Sequence, residues 1–290
     1  MPVPRVRVVT DSTSDIPEDI ARQLDITIVP ANIQFADRSF RDGIDLSRDE
    51  FYRRLVLGPD LPTTSAPAAG IFAQAYRDVA ARSAAAGRPL EGVVAVHLAS
   101  RLSGLFNAAR LGAEDVTETQ VRLVDSEQVS MGTGLLAIVA ARAAQAGLGL
   151  DEIAALVEAR VPRVRLLALL DTLDYVRRSG RLGAARWLLG TILNIKPIIE
   201  VRHGEVLPPV ELLRTRSQGL ERLTELATEI APFEELAVVH AQAPQLAATL
   251  LERLATLHPR DQIICGEVGV TIGTYAGPGA VGFICVKRGD

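Results

Sequence analysis

The sequence predicts an α/β protein of two domains, and three observations carry that expectation. Apolar strand-like runs alternate with helical patterns through the first half: "RVRVVT" (5–10), "VVAVHLAS" (93–100) and "VRLVDSE" (121–127) are each followed by one. Near-continuous apolar strands are buried on both faces, as in a mostly parallel sheet covered by helices. A chain of 290 residues also exceeds what one core ordinarily organises. Finally, Pro162 interrupts a helical pattern in "EARVPRV", and the segments beyond it follow a different order. The expected architecture is an N-terminal three-layer α/β/α domain with a mostly parallel sheet over 1–162, then a C-terminal α/β domain over 163–290.

Each element has its own signal. "RVRVVT" alternates polar and apolar residues and breaks at "DSTSD"; Pro17 then fits the first turn of the helix "PEDIARQL". "ITIVPANIQF" (26–35) alternates again, and "SRDE" (47–50) reads as a capping box in which Ser47 and Glu50 satisfy free amides reciprocally. "RLSGLFNAARLGAE" turns helical, as does the Ala-rich "SMGTGLLAIVAARAAQAG". In the second half, residues 166–201 read as a strand, one or two helices and a strand pair turning at "RHGE". "RSQGLERLTELATEI" (216–230) is an amphipathic helix, followed by "LAVVHAQ", the helix "APQLAATLLERLATL", "QIICGEVG" and "AVGFICVKR". These predict a second α/β layer with its own core. With no low-complexity linker, the interface between the halves is expected to be packed.

Composition narrows the function classes. Hydrophobic residues make up 48 % and charged residues 23 %, as in ordinary globular proteins. A net charge of −4 and the lack of a Lys/Arg block argue against a nucleic-acid binder. The N-terminus lacks the apolar core of a signal peptide, and no apolar run is long enough to span a bilayer, so the expected location is the cytoplasm. Cys265 and Cys285 are in neither a metal nor a redox spacing. No cofactor and no metal are expected.

Ligands of a doubly wound sheet bind beyond the carboxyl ends of its strands. Four segments expected there are rich in hydroxyls: "TDSTSD" (10–15), "PTTSAP" (62–67), "ASRLSG" (99–104) and "DSEQVSMGTG" (125–134). Each alone reads as a capped helix start, because Ser, Thr and Asp are preferred N-caps. Four at one sheet edge instead present neutral donors and free helix amides to a single anionic group. Signatures of a Walker ATP site, a zincin or an α/β-hydrolase are absent, and the four histidines are scattered. His97 and His240 fall in or after apolar strands, where a hydrogen-bonded structural histidine is the expectation. Around Gly180, Arg177, Arg178 and Arg181 either complement a helix dipole or face a phosphate or an acidic partner. "IGTYAGPGAVGF" (272–283) is a glycine-rich loop of the kind that approaches anions, with Tyr275 at its centre.

The blocks "TDSTSD", "TTSAP", "LASRLSGLFNAA", "VDSEQVSMGTG", "LDTLDYVRRSGRL", "ILNIKPII" and "IGTYAGPGAVGF" occur in the order seen in the DegV family, which the whole chain resembles. The resemblance implies a two-domain α/β protein that is not itself an enzyme. It would bind a long-chain fatty acid in an apolar tunnel, in or beside the first domain, with the carboxylate held by hydroxyls near the domain interface. It would present that carboxylate to the kinase subunit of a fatty acid kinase system, which forms the acyl phosphate. Carried over by position, the family's TS-x-P block falls on Thr64 and Ser65, and its serine block on Ser100 and Ser103, with Ser100 the favoured contact. The arginine of the "GGRI"-like stretch is Arg181, with Ser179 in place of the first glycine, where no left-handed backbone angle is then expected. Arg178 and Arg181 are candidates for partner or phosphate contact.

Tyr275 departs from the family pattern, which commonly has histidine there. An imidazole can take a proton near neutral pH, whereas an ordinary phenol, with a pKa of about 10, donates only a neutral hydrogen bond. Tyr275 reaches the carboxylate in this reading, with Gly277 and Gly279 shaping its loop. The tyrosine leaves open a weaker site, another head group or a trimmed pocket. Two other readings compete: a Ser-based hydrolase or transferase, and a regulatory module without a ligand.

Overall fold

The computed structural model describes residues 5–36, 38–58, 61–87, 90–181 and 195–289. The chain opens with β1 (Val6–Asp11), a single 3-10 turn at Ser12–Ser14, α1 (Glu18–Gln23) and β2 (Ile26–Val29). Pro30 follows, and because proline cannot extend a ladder, the alternating run 26–35 splits into two strands. β3 (Asn32–Phe35) leaves the first sheet and pairs antiparallel with β4 (Arg38–Arg41). After α2 (Arg48–Leu57), β5 (Thr63–Ser65) pairs with the other edge of β3. The first half continues through α3 (Ala69–Ala85), β6 (Gly92–His97), α4 (Leu105–Glu114), β7 (Gln120–Asp125), α5 (Met131–Gln145) and α6 (Leu150–Glu158). Four of its strands form an all-parallel sheet in the order β2-β1-β6-β7.

Two sequence expectations are corrected. The segment 62–67 is not a loop opening a helix: residues 63–65 form β5, because β3 offers that stretch a free antiparallel edge. The capping box is only half made. Ser47 Oγ accepts from the Glu50 amide at 3.3 Å, while the Glu50 carboxylate turns to Arg53 and Arg54, where opposite charge outweighs a backbone donor.

The second half comprises β8 (Val164–Leu169), α7 (Asp174–Ser179), β9 (Lys196–Arg202), β10 (Glu205–Val206), β11 (Glu211–Leu213), α8 (Arg216–Ile230), β12 (Phe233–His240), α9 (Pro244–Leu254), β13 (Ile263–Glu267), α10 (Val270–Ala276) and β14 (Val281–Lys287). Its seven strands run β10-β9-β8-β14-β12-β13, with β11 on β9, and only β12 and β13 pair in parallel. Helices expected within 182–194 lie outside the described residues, as does the start of "ILNIKPII".

The layers follow from the helix surfaces. α8 and α9 show apolar stripes (Leu220, Leu223, Ala227 and Ile230; Ala247, Leu250 and Leu254) that cover the outer face of the mixed sheet with a core of its own. α3 and α4 cover one face of the parallel sheet. From Met131 to Ala141 every residue of α5 is buried, so this stretch is covered on every side, while Arg142 near its end is exposed. The helix lies between the two sheets, against β1 and β6 on one side and β12 and β14 on the other, in one core that includes both halves. The second half therefore has its own core on one face only. Leu135, Leu136 and Ile138 are fully buried here, each contributing roughly 2 kcal/mol.

Candidate functional site

A cavity opens between the carboxyl edge of the parallel sheet and the inner face of the mixed sheet. Leu166, Ala168, Ile199, Val201, Val239 and Val281 give it an apolar wall from β8, β9, β12 and β14. Hydroxyls line it from the first half: Thr13 after β1, Thr64 and Ser65 on β5, Ser103 after β6 and Ser130 after β7. α10 adds Thr271 and Tyr275.

Several residues singled out in the sequence meet in this cavity. Thr64 Oγ1 and the Tyr275 hydroxyl are hydrogen-bonded to each other, joining β5 to α10. The Arg181 guanidinium carbon stands 5.4 Å from the centre of the Tyr275 ring, a cation–π contact. Ser103 Oγ accepts from the Leu105 amide at 3.3 Å, and among the described residues its proton has no acceptor. Ser65 and Arg181 are exposed, so this end of the cavity reaches the surface. Ser100 and Arg178 do not line it. Ser100 is exposed, and its amide donates to the Asp125 carboxylate at 3.2 Å; Arg178 is exposed on α7. Ser179 stays helical, and the left-handed angle falls on Gly180 (φ 73°).

Gly277 and Gly279 hold the loop behind Tyr275, with φ of 70° and 86°. A Cβ on Gly277 would stand 2.2 Å from the Tyr175 ring. Gly277→Ala therefore combines backbone strain with a clash and is expected to cost about 2–3 kcal/mol. A denaturant midpoint within error of wild type would contradict this account of the loop.

Behind the hydroxyls lie three buried carboxylates whose importance the sequence reading missed. Asp11 accepts from the Thr13 amide at 3.0 Å, the Thr13 hydroxyl, the Leu98 amide at 3.2 Å and His97 Nδ1 at 2.9 Å. His97 Nε2 faces the Tyr76 hydroxyl at 3.3 Å, so both ring nitrogens are occupied and the structural reading of His97 stands. Asp15 accepts from Ser130 Oγ at 2.5 Å and the Gly269 amide at 2.7 Å. Burial, reinforced by the nearby Asp42 charge, raises its pKa to about 7, against the opposing pull of these two hydrogen bonds and Arg48. Asp42 accepts from Thr271 Oγ1 at 2.6 Å, Ser12 Oγ at 3.0 Å, and the Thr271 and Val270 amides at 3.2 and 3.3 Å; burial raises its pKa too. The first amides of α10 are thus held by carboxylates of the first half. His240 also lines the cavity, at the end of β12, and burial lowers its pKa, which keeps the ring neutral. Among the described residues, no three His, Cys, Asp or Glu side chains are placed to share a metal ion.

Fold and site together define a two-domain α/β protein built around an apolar cavity with a hydroxyl-rich end. The model of the DegV family of uncharacterised proteins matches residues 5–288, and the chain belongs to the DegV family. A DegV domain-containing protein of Streptomyces coelicolor is 35 % identical over 98 % of this chain and 99 % of its own length. Protein DegV of Bacillus subtilis is 32 % identical over 97 % of this chain and 98 % of its own. Among solved structures, a DegV family protein from Thermus thermophilus, described by its fatty acid binding, superposes with a TM-score of 0.87 at 27 % identity, covering 98 % of this chain and 100 % of its own. DegV from B. subtilis, described as a fatty acid binding protein, gives 0.85 at 30 % identity over 98 % of this chain and 100 % of its own.

Proposed function

We propose that this protein binds a long-chain fatty acid in its cavity and presents the carboxylate to a separate ATP-dependent kinase, without catalysing a reaction itself. The observation that carries the reading is the cavity, lined by an apolar wall and by Thr64, Ser65, Ser103, Tyr275 and Arg181. Two family members of the same fold are described as fatty acid binding proteins, which supports it. Acyl burial contributes about 0.8 kcal/mol per methylene, so the wall supplies most of the affinity. The Thr64–Tyr275 pair spends one of its two protons internally and offers the other to the carboxylate, and Arg181 adds positive charge beside them. In this reading Ser100 serves the loop backbone, Gly277 and Gly279 hold the Tyr275 loop, and Arg178 and Arg181 are available to a partner. Because Ser65 and Arg181 are exposed, the carboxylate stays within reach of an incoming γ-phosphate. We place the domain boundary at 162/163, at the turn before β8, and the working location in the cytoplasm.

A Ser-based hydrolase finds less support, since the buried imidazole held by a carboxylate, His97, spends its other nitrogen on Tyr76 and not on a serine. The open cavity also speaks against a module without a ligand.

Mass spectrometry of an organic extract of the denatured, purified protein tests the binding step. Near-stoichiometric fatty acid is expected from wild type and from Ser100→Ala. Thr64→Val combined with Tyr275→Phe is expected to lower retention about tenfold. An extract without lipid would sink the binding reading, and full retention by the double variant would sink the carboxylate assignment. For presentation, acyl phosphate trapped with hydroxylamine is expected only when a fatty acid kinase subunit and ATP are added. Product from this chain and ATP alone would overturn the non-enzymatic role.

A further inference from the structure

We infer that the cavity contains a second polar subsite, made of hydrogen-bond acceptors, and that the preferred ligand is an acyl chain carrying a hydroxyl close to its carboxylate. The inference rests on the fatty-acid reading and adds the substrate class. Its basis is where each hydroxyl sends its only proton. Thr13 donates to Asp11, Ser130 to Asp15 at 2.5 Å and Thr271 to Asp42 at 2.6 Å. All three line the cavity, and all are at least 95 % buried. A hydroxyl has one proton and two lone pairs, so these oxygens can offer the cavity only acceptors. Three acceptors facing a carboxylate would repel it, which assigns the ligand's charge to the other group, where Arg181 and the spare proton of Thr64 or Tyr275 lie.

With an unsubstituted chain in the cavity, the spare lone pairs of Thr13, Ser130 and Thr271 stay buried without a donor, and a buried acceptor without a partner is costly. A hydroxyl on the ligand answers that cost. Its position follows from α10, where Thr271 and Tyr275 are four residues apart on one face, about 6 Å along the axis. A carboxylate at Tyr275 therefore places Thr271 beside the first few carbons of the chain. Fixing the carboxylate, the hydroxyl and the tail at separate points also distinguishes the two enantiomers of that carbon.

The test is competition between hexadecanoate and each enantiomer of 3-hydroxyhexadecanoate on delipidated protein at pH 8, where Asp15 is mainly ionised. One enantiomer is expected to bind about tenfold more tightly than hexadecanoate. The preference is expected to fall to near unity in Thr271→Val and in Ser130→Gly. The second substitution suits the left-handed backbone at position 130 (φ 53°) and so keeps the loop. If hexadecanoate binds as well as or better than both hydroxy acids, the subsite is refuted while the fatty-acid reading stands. If neither lipid binds, both fall. A preference that survives in both variants overturns the assignment to these oxygens.

Discussion

Asp42→Ala is expected to destabilise the protein by roughly 3–5 kcal/mol, because it removes one acceptor from several buried donors at once. The Val270 and Thr271 amides and the Thr271 hydroxyl would all lose their partner at the start of α10. Water cannot replace it easily, since Asp42 is 4 % exposed and Thr271 5 %. At a few degrees per kcal/mol for a chain of this size, the melting temperature should fall by about 10 °C. Lipid retention should fall with it, since Tyr275 lies one turn further along the same helix. Asp42→Asn keeps one acceptor oxygen and should lose less. Melting curves of the two variants in parallel decide the matter: equal, small shifts would mean that α10 is held by packing alone.

Asp15 predicts an unusual dependence of stability on pH. Its carboxyl has a pKa of about 7 in the fold, chiefly through burial, against an ordinary value of 3.8. The folded state therefore binds the proton more tightly than the unfolded chain does. The resulting stabilisation is complete below 3.8 and is lost as pH rises through about 7. Across the whole window the loss is about 4 kcal/mol. Asp15→Asn should remove this component and be the more stable form at pH 8, since asparagine tolerates the left-handed angle at that position (φ 52°). Asp42, also raised by burial, adds a slope of the same sign that the variant keeps. Urea midpoints from pH 5 to 8 test this, and parallel profiles for wild type and variant would refute it.

The sequence showed the parallel strands because burial on both faces leaves near-continuous apolar runs such as that of β6. It also showed which loops carry hydroxyls, and Thr64, Ser65, Ser103, Tyr275 and Arg181 all reach one cavity. Local pattern did not separate Ser100 from Ser103, because which of two serines in one loop turns inward depends on what the loop packs against. The strand at 63–65 was missed because three residues are too short to show a period. Local pattern does not mark Asp15 or Asp42, since their partners on the Gly269–Thr271 stretch are 254 and 228 or 229 residues away. Asymmetry among the cavity hydroxyls is equally hidden: a threonine that donates and one that only accepts are the same letter.

The central helix, α5, has a consequence for how the molecule comes apart. Both sheets rest on it, so removing either would expose nearly all its length to water, and neither half keeps a finished surface without the other. The protein should therefore melt in a single transition, and limited proteolysis should not release a folded half. In deuterium exchange, the α5 amides should be among the last to label, at a rate set by global unfolding.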